Sequence, residues 1–281
     1  MTERAHVIPD GDQLLQASVG GRQEGESGLV KASKKCLVSE IFGPTIQGEG
    51  QMVGRQTMFI RFAGCDYRCT MCDSLHAVLP QLIKSSARKM DAMDIYRELS
   101  SKAKHCKVVT FSGGNPLMWD LTELCELLVA DGWEIAVETQ GTLFQTWLKH
   151  VKWVTVSPKG PGMGEEFNPE VFLTFLNKTD AVCHMSHVTL KMVIFDQRDI
   201  EFAKEVVRIT DNCYTNYLSL GNPLPPPATS DGTREYLKDF EVDLLKRMKV
   251  LWEDIQNEPE LRDAIFLPQL HVLLWGNEQG R

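Results

Sequence analysis

Between residues 65 and 74 the chain reads CDYRCTMCDS, which places three of its eight cysteines within eight residues. Thiolates are soft ligands suited to zinc or iron–sulfur centres. A structural zinc site takes four protein ligands, usually as two separated pairs. Neither Cys106 nor Cys125 has a paired cysteine or histidine at ligand spacing. Cys65, Cys69 and Cys72 therefore form a set of three without an obvious fourth. On a cubane of four irons, three thiolates leave one iron open to a substrate or cofactor, an arrangement suited to one-electron transfer and radical formation. Two alternatives stay open at this point: three core cysteines without chemistry, and zinc with His76 as fourth ligand. An x2 histidine pair, His184 and His187, lies beside Cys183 and is read as ordinary loop and packing residues rather than as a metal site.

The elements around the cysteines alternate. TMFIRFAG, residues 57–64, is apolar enough for a buried strand that runs straight into Cys65. KVVTFSGG, WEIAVETQG and VKWVTVSPKG read as further strands, followed by VTLKMVIF, NYLSLGN and, at the end, FLPQLHVLLWG. CLVSEIFG precedes them as a short strand. Helical spacing runs through DAMDIYRELSSK, LMWDLTELCELLVADG, LFQTWLKH, DIEFAKEVVRIT and REYLKDFEVDLLKRMKVLWEDIQ, while 160–187 is looser. PLPPPATSDG, 223–232, is a loop, because prolines remove ladder donors. Strands alternating with helices imply parallel pairing through covered crossovers. About six internal strands with fewer helices predict an α/β fold in the form of a partial, open barrel. Chemistry in such folds sits beyond the carboxyl ends of the strands. RFAG-C, SGGNP, ETQG and SPK all fall there, so four motifs face one mouth.

Composition narrows the setting. Residues 1–36 are polar and glycine-punctuated and read as a flexible N-terminal extension, leaving 37–281 as a single domain. A formal charge of -8 argues against a broad electrostatic grip on nucleic acid or on an anionic membrane. The chain has no apolar run of about 18 residues to span a bilayer, and its first residues lack the apolar core of a secretory signal. Those absences favour the cytoplasm, where cysteines stay reduced.

Cys65, Cys69 and Cys72 match the x3, x2 signature of the radical S-adenosylmethionine (SAM) superfamily. That resemblance implies a partial (β/α)6-like barrel, a [4Fe-4S] cluster on the three thiols, and SAM held on the open iron through its methionine amino and carboxylate groups. The superfamily's glycine pair resembles Gly113 and Gly114 of SGGNP. Asn115 stands where a glutamate near the methionine amino group is usual, keeping an acceptor oxygen without the charge; backbone carbonyls are the alternative contact. Met71 falls where an apolar residue edges the adenine, and core packing reads equally well.

Reading outward, EIFGPTIQGEG, MFIRFAGCDYRC, CDS, ETQGT, SPK and LPQLHVLLWGN together resemble the 7-carboxy-7-deazaguanine synthase family from about residue 38 onward. This family acts on 6-carboxy-5,6,7,8-tetrahydropterin in queuosine and deazapurine biosynthesis, as a carbon–nitrogen lyase. The resemblance implies that Gln47 and Glu49 bind the pterin, matching the donor and acceptor needs of an aminopyrimidine edge. It gives the substrate carboxylate to Arg61, whose guanidinium is costly in an apolar strand unless paired; a buried pair with a protein acid is the alternative. Ser74 is implied as a ligand to Mg2+, with Asp73 as its neighbour or a cap. Ser112 and Gly114 are implied at the substrate, and Glu138, Ser157 and Lys159 at the cofactor. Gln269 and His271 are expected on one side of the terminal strand, facing the pterin; whether Arg281 reaches the pocket stays open. The family is usually homodimeric, and the helix at 234–256 has apolar surface for such a contact. A flavodoxin-like protein is the implied electron donor. The rival readings are a glycyl-radical activase of the same superfamily, and a noncatalytic iron–sulfur or zinc module.

Overall fold

The structure, a computed structural model, describes residues 34–183, 187–222, 233–276, 278 and 280. The expectations placed on residues 1–33, His184, the loop 223–232 and Arg281 lie outside the described residues. The described chain belongs to one compact unit, Ser33–Arg281. Regular structure begins at β1 (Cys36–Ile46), followed by β2 (Gln56–Phe62), the short helices α1 (Leu75–Val78) and α2 (Pro80–Ser86), and β3 (Arg88–Met90). Then come α3 (Ala92–Lys102), β4 (Val108–Gly113), α4 (Thr122–Ala130), β5 (Glu134–Thr139), β6 (Trp153–Val156) and α5 (Pro169–Val182). The remaining elements are β7 (His187–Ile194), α6 (Gln197–Ile209), β8 (Thr215–Leu220), α7 (Thr233–Ile255), β9 (Ile265–Leu267) and α8 (Leu270–Trp275).

These strands make a nine-stranded sheet in the order β3-β1-β2-β4-β5-β6-β7-β8-β9. From β2 through β9 every neighbouring pair is parallel, whereas β1 pairs antiparallel with both β2 and β3. β3 and β9 form the two ends, so the sheet is a partial barrel that stays open, as the strand–helix alternation predicts. The parallel strands are near-continuous apolar runs because both their faces are covered. Phe62, Phe111 and Trp147 form an edge-to-face chain in the core, with ring centroids 5.4 and 6.0 Å apart. Helix starts follow capping chemistry: Asp91 accepts from the Asp94 amide, Asn168 from Val171, and Asp196 from Arg198.

Three sequence expectations are corrected here. The segment 160–187, read as loose, holds the fourteen-residue α5, started by Asn168 as cap and Pro169 in the first turn. The closing segment, read as one strand, divides: β9 is three residues long and ends just before Pro268, and LHVLLW continues as α8. LFQTWLKH is tighter than an α-helix, forming a 3-10 turn over Thr146–His150.

A buried acid organises the loop after β6. Asp199, fully buried in the first turn of α6, accepts from the Gly162 amide at 2.8 Å and the Phe195 amide at 2.9 Å. The same loop offers the Met163 carbonyl to the amide and hydroxyl of Thr70, between Cys69 and Cys72. Asp199→Ala is expected to lower stability by about 1–3 kcal/mol by leaving those amides without an acceptor, measured as a shift in urea midpoint.

Candidate active site

The carboxyl ends of the parallel strands surround a cavity of about 200 Å³. Cys65, Cys69 and Cys72 form one wall, on the loop that leaves β2. Ser112, Gly113 and Gly114 come from the end of β4 and its following turn, Glu138 from β5, and Ser157 and Lys159 from the loop after β6. Gln47 and Glu49 enter from the loop between β1 and β2, and Gln269 and His271 from the start of α8. Met71, Ser74 and Arg61 also line it. Among the described residues that the resemblance assigns to the site, Asn115 is the one absent from the wall.

The glycines at this mouth are fixed by contact. Gly114 donates its amide to the Phe62 carbonyl at 2.9 Å, and a Cβ on Gly114 would lie 1.9 Å from the Gly64 oxygen. Gly113 has φ +119°, and its Cβ would meet the Phe62 oxygen at 2.1 Å. The turn after β4 is thus zipped to the backbone leading into the cysteine loop. Gly114→Ala is expected to cost about 1–3 kcal/mol through forced backbone displacement and to reduce iron retention, read by thermal melts and iron analysis.

Asn115 lies behind this zipper, fully buried. Its amide nitrogen donates to Asp66 at 2.9 Å, and its oxygen accepts from the Thr139 hydroxyl at 3.0 Å and the Leu117 amide at 3.2 Å. The oxygen expected at a methionine amino group is therefore turned into the protein. Ser112 differs: its hydroxyl is buried, lines the cavity, and has no hydrogen-bond partner among the described residues.

The residues expected at the pterin form a charged network. Gln47 donates to Glu138 at 2.8 Å while its oxygen accepts from the amides of Gly48 and Glu49. Glu49 accepts from Gln269 at 2.7 Å and from the Lys191 ammonium at 2.6 Å. Burial pushes the Glu49 carboxyl up, but Lys191, His271 and the hydrogen bond from Gln269 outweigh it and hold the group down at about 2. Burial likewise opposes the Lys191 charge, and Glu138 and Glu49 reverse that, so its pKa is raised. Lys191 is a cavity residue that the sequence reading does not reach. Its one signal is a single lysine in the apolar strand VTLKMVIF, and alternation along β7 puts it on the cavity side with Val193.

α8, in place of the expected strand, still delivers Gln269 and His271 to the cavity. The Leu270 amide donates to the Gly48 carbonyl at 2.9 Å, and a Cβ on Gly48 would lie 2.2 Å from His271 Nδ1. The close approach of two backbones therefore seats the histidine. Arg61 takes the alternative partner foreseen for it. Its Nε donates to Glu40 at 2.7 Å, directly across the β1–β2 ladder, and its Nη1 to Ser74 at 2.7 Å. Ser74 in turn donates to Asp73 at 2.9 Å. His76 lies against the same Glu40 at 3.2 Å.

Around the cysteines, burial pushes Cys65 up, Cys69 to about 12 and Cys72 to about 11, while Lys159 pulls all three down. Three thiols on one loop of one cavity wall are the soft donor set that suits an iron–sulfur centre. No disulfide links any of the eight cysteines. Among the described residues no three His, Cys, Asp or Glu side chains converge on a single-ion site; a cubane asks instead for thiolates each on its own iron. Lys159 also donates to Ser157 at 2.9 Å, so its charge is held at the cysteine wall.

An open parallel sheet with a three-thiol loop after its first parallel strand defines a protein of the radical SAM class. A profile described as Radical SAM superfamily matches residues 59–161. Within that superfamily, which uses a [4Fe-4S] cluster and SAM, the chain belongs to the 7-carboxy-7-deazaguanine synthase family. It is 40% identical over 253 residues to the 7-carboxy-7-deazaguanine synthase of Bacillus subtilis, covering 88% of this chain and 99% of that one. The Bacillus cereus enzyme of the same name is 38% identical over 251 residues, with the same two coverages. The crystal structure of QueE from Escherichia coli shares the fold, with TM-score 0.56 at 23% identity over 84% of this chain and 95% of that one. Among the described residues no helix is long and apolar enough to cross a membrane.

Proposed function

We propose that this chain is a 7-carboxy-7-deazaguanine synthase, converting 6-carboxy-5,6,7,8-tetrahydropterin into 7-carboxy-7-deazaguanine with loss of ammonia. The observation that carries the reading is one cavity bounded by the three cysteines on one side and by the Gln47, Glu49, Gln269 and His271 network on the other. Cys65, Cys69 and Cys72 would hold a [4Fe-4S] cluster that, reduced and carrying SAM, would supply radical chemistry for hydrogen transfer at C6 of the substrate.

The chain's own residues bind and orient. Cys65, Cys69 and Cys72 hold the cluster. Glu49, kept ionised by Lys191, accepts two hydrogens from the aminopyrimidine edge, and Gln47 and Gln269 complement it with donors and acceptors. His271 flanks the ring. Ser112, with its unpartnered hydroxyl, and Gly114 meet the substrate. Arg61 keeps its Nη2 for the substrate carboxylate while Glu40 and Ser74 anchor the rest of the guanidinium. Ser74 retains a lone pair for Mg2+, which would orient the pterin and offset charge during rearrangement. Glu138 receives the ribose hydroxyls, Ser157 and Lys159 the methionine carboxylate, and Met71 the adenine edge. With Asn115 turned inward, the methionine amino group falls to backbone carbonyls, with Gly113 at the cluster side. No covalent nucleophile is required; positioning of C6 against the radical carbon supplies much of the catalysis.

Further assignments go with this reading. A flavodoxin-like protein serves as electron donor, and the protein works in the cytoplasm as a homodimer without nucleic acid or membrane. Val242, Leu245 and Trp252 leave α7 with exposed apolar surface, which supports the dimer. Residues 37–281 form the catalytic domain. Substrate deuterated at C6 tests the hydrogen transfer: deuterium is expected at the 5′ carbon of recovered SAM. Turnover that leaves recovered SAM unlabelled would rule out this route.

A further inference from the structure

The motif ETQG contributes more than the Glu138 carboxylate. Gln140, next but one, is buried and lines the cavity. Its Nε2 lies within hydrogen-bond reach of two acceptors, Asp66 Oδ1 and, at 3.6 Å, Cys65 Sγ. An amide nitrogen carries two hydrogens, one for each. The amide nitrogen faces Asp66, whose Oδ1 accepts from it. Asp66 is itself immobilised within the cysteine loop, because Asn115 donates to it from the turn after β4, and Gln140 and Thr142 from the loop after β5. Asn115 is locked in turn by Thr139. A side-chain lattice from two strand ends thus closes on the first cysteine of the cluster loop.

We infer that Gln140 is a positioning residue for the cluster, delivering an N–H to the Cys65 sulfur from an amide that Asp66 holds in place. The inference rests on the cluster reading of the three cysteines. Hydrogen bonds to cluster sulfurs are among the features that set reduction potential. An N–H donor stabilises the more negative, reduced state, so it raises the potential and eases the uptake of the electron that begins each turnover. The Tyr67 amide, 3.5 Å from the same sulfur, adds a backbone donor. Cys65 thus meets both a backbone and a side-chain donor, and Gln140 supplies the side-chain one.

The test is an anaerobic redox titration of the reconstituted full chain, followed by EPR of the reduced cluster. Gln140→Leu keeps the volume and removes the donor. Its cluster, at full iron content, is expected to titrate at a lower midpoint potential than the wild type. An unchanged potential with the cluster intact would overturn the inference. Wild-type protein carrying 15N at its glutamine side-chain amides gives a second readout that does not depend on the variant folding. Pulsed EPR is expected to resolve a 15N coupling to the reduced cluster, and its absence would equally overturn the assignment. If the wild type shows no reduced-cluster signal at all, the cluster reading fails, which is a distinct result.

Discussion

Cys69→Ala is expected to reduce deazapurine formation, and any 5′-deoxyadenosine released by uncoupled SAM cleavage, to background while the far-ultraviolet circular dichroism stays that of the wild type. Cys69 sits mid-loop on the cavity wall and carries no strand or helix of the sheet. Its replacement therefore removes a ligand without opening the apolar core. Changing an outer partner of a metal ligand typically costs about 10–100-fold in affinity or activity, and removal of the ligand itself costs more. The checks are iron and sulfide content of the reconstituted variant and chromatography of its products. Retained iron with full turnover would mean that another residue completes the centre.

The second large effect is on stability and its pH dependence. Lys191→Met leaves the buried Glu49 without its cation, and breaking a buried pair from one side costs about 3–5 kcal/mol. In the wild type the folded Glu49 carboxyl is held at about 2, below its ordinary value of 4.5. Its contribution is complete above that ordinary value and declines as pH falls from about 4.5 towards 2. In Lys191→Met burial, the largest influence on this carboxyl, is opposed by His271 and the Gln269 hydrogen bond without the lysine, and the group is expected to shift above its ordinary value. The variant then gains stability relative to the wild type as pH is lowered from about 7 to about 5, which is the opposite slope. Urea midpoints at the two pH values measure it, and adding Glu49→Gln, which removes the stranded charge, is expected to restore much of the loss. A Lys191→Met protein with wild-type midpoints at both pH values would mean that the pair is solvated and of little weight. In activity the same variant should lose pterin binding, since a protonated Glu49 no longer accepts two hydrogens.

Much of this site is legible because the sequence states it locally. Cys65, Cys69 and Cys72 read as ligands by their spacing, and each polar motif follows an apolar run that suits a strand, so strand ends and chemistry come together. What is not legible depends on pairing at a distance. Arg61 announces a buried charge, but its partner Glu40 is found only once β1 and β2 are in register. Lys191 meets Glu49 across 142 residues of chain. Asn115 reads as a cofactor contact from its neighbours Gly113 and Gly114, yet Asp66 and Thr139 draw it inward. The helix α8 is hidden because LHVLLW fits a buried strand as well as a helix turn, and only Pro268 and the contact with Gly48 decide between them. For α5 the signal is present in Asn168 and Pro169, which mark its start, but the surrounding segment has weak periodicity.

The central claim is that one chain joins a three-cysteine cluster to a pterin pocket for a ring contraction. Its most direct test is to reconstitute the protein without oxygen, reduce it, supply SAM, Mg2+ and 6-carboxytetrahydropterin, and identify the products by mass spectrometry. Formation of 7-carboxy-7-deazaguanine, absent with Cys69→Ala, is the predicted result. A reduced, cluster-loaded protein that yields 5′-deoxyadenosine without any deazapurine would contradict it.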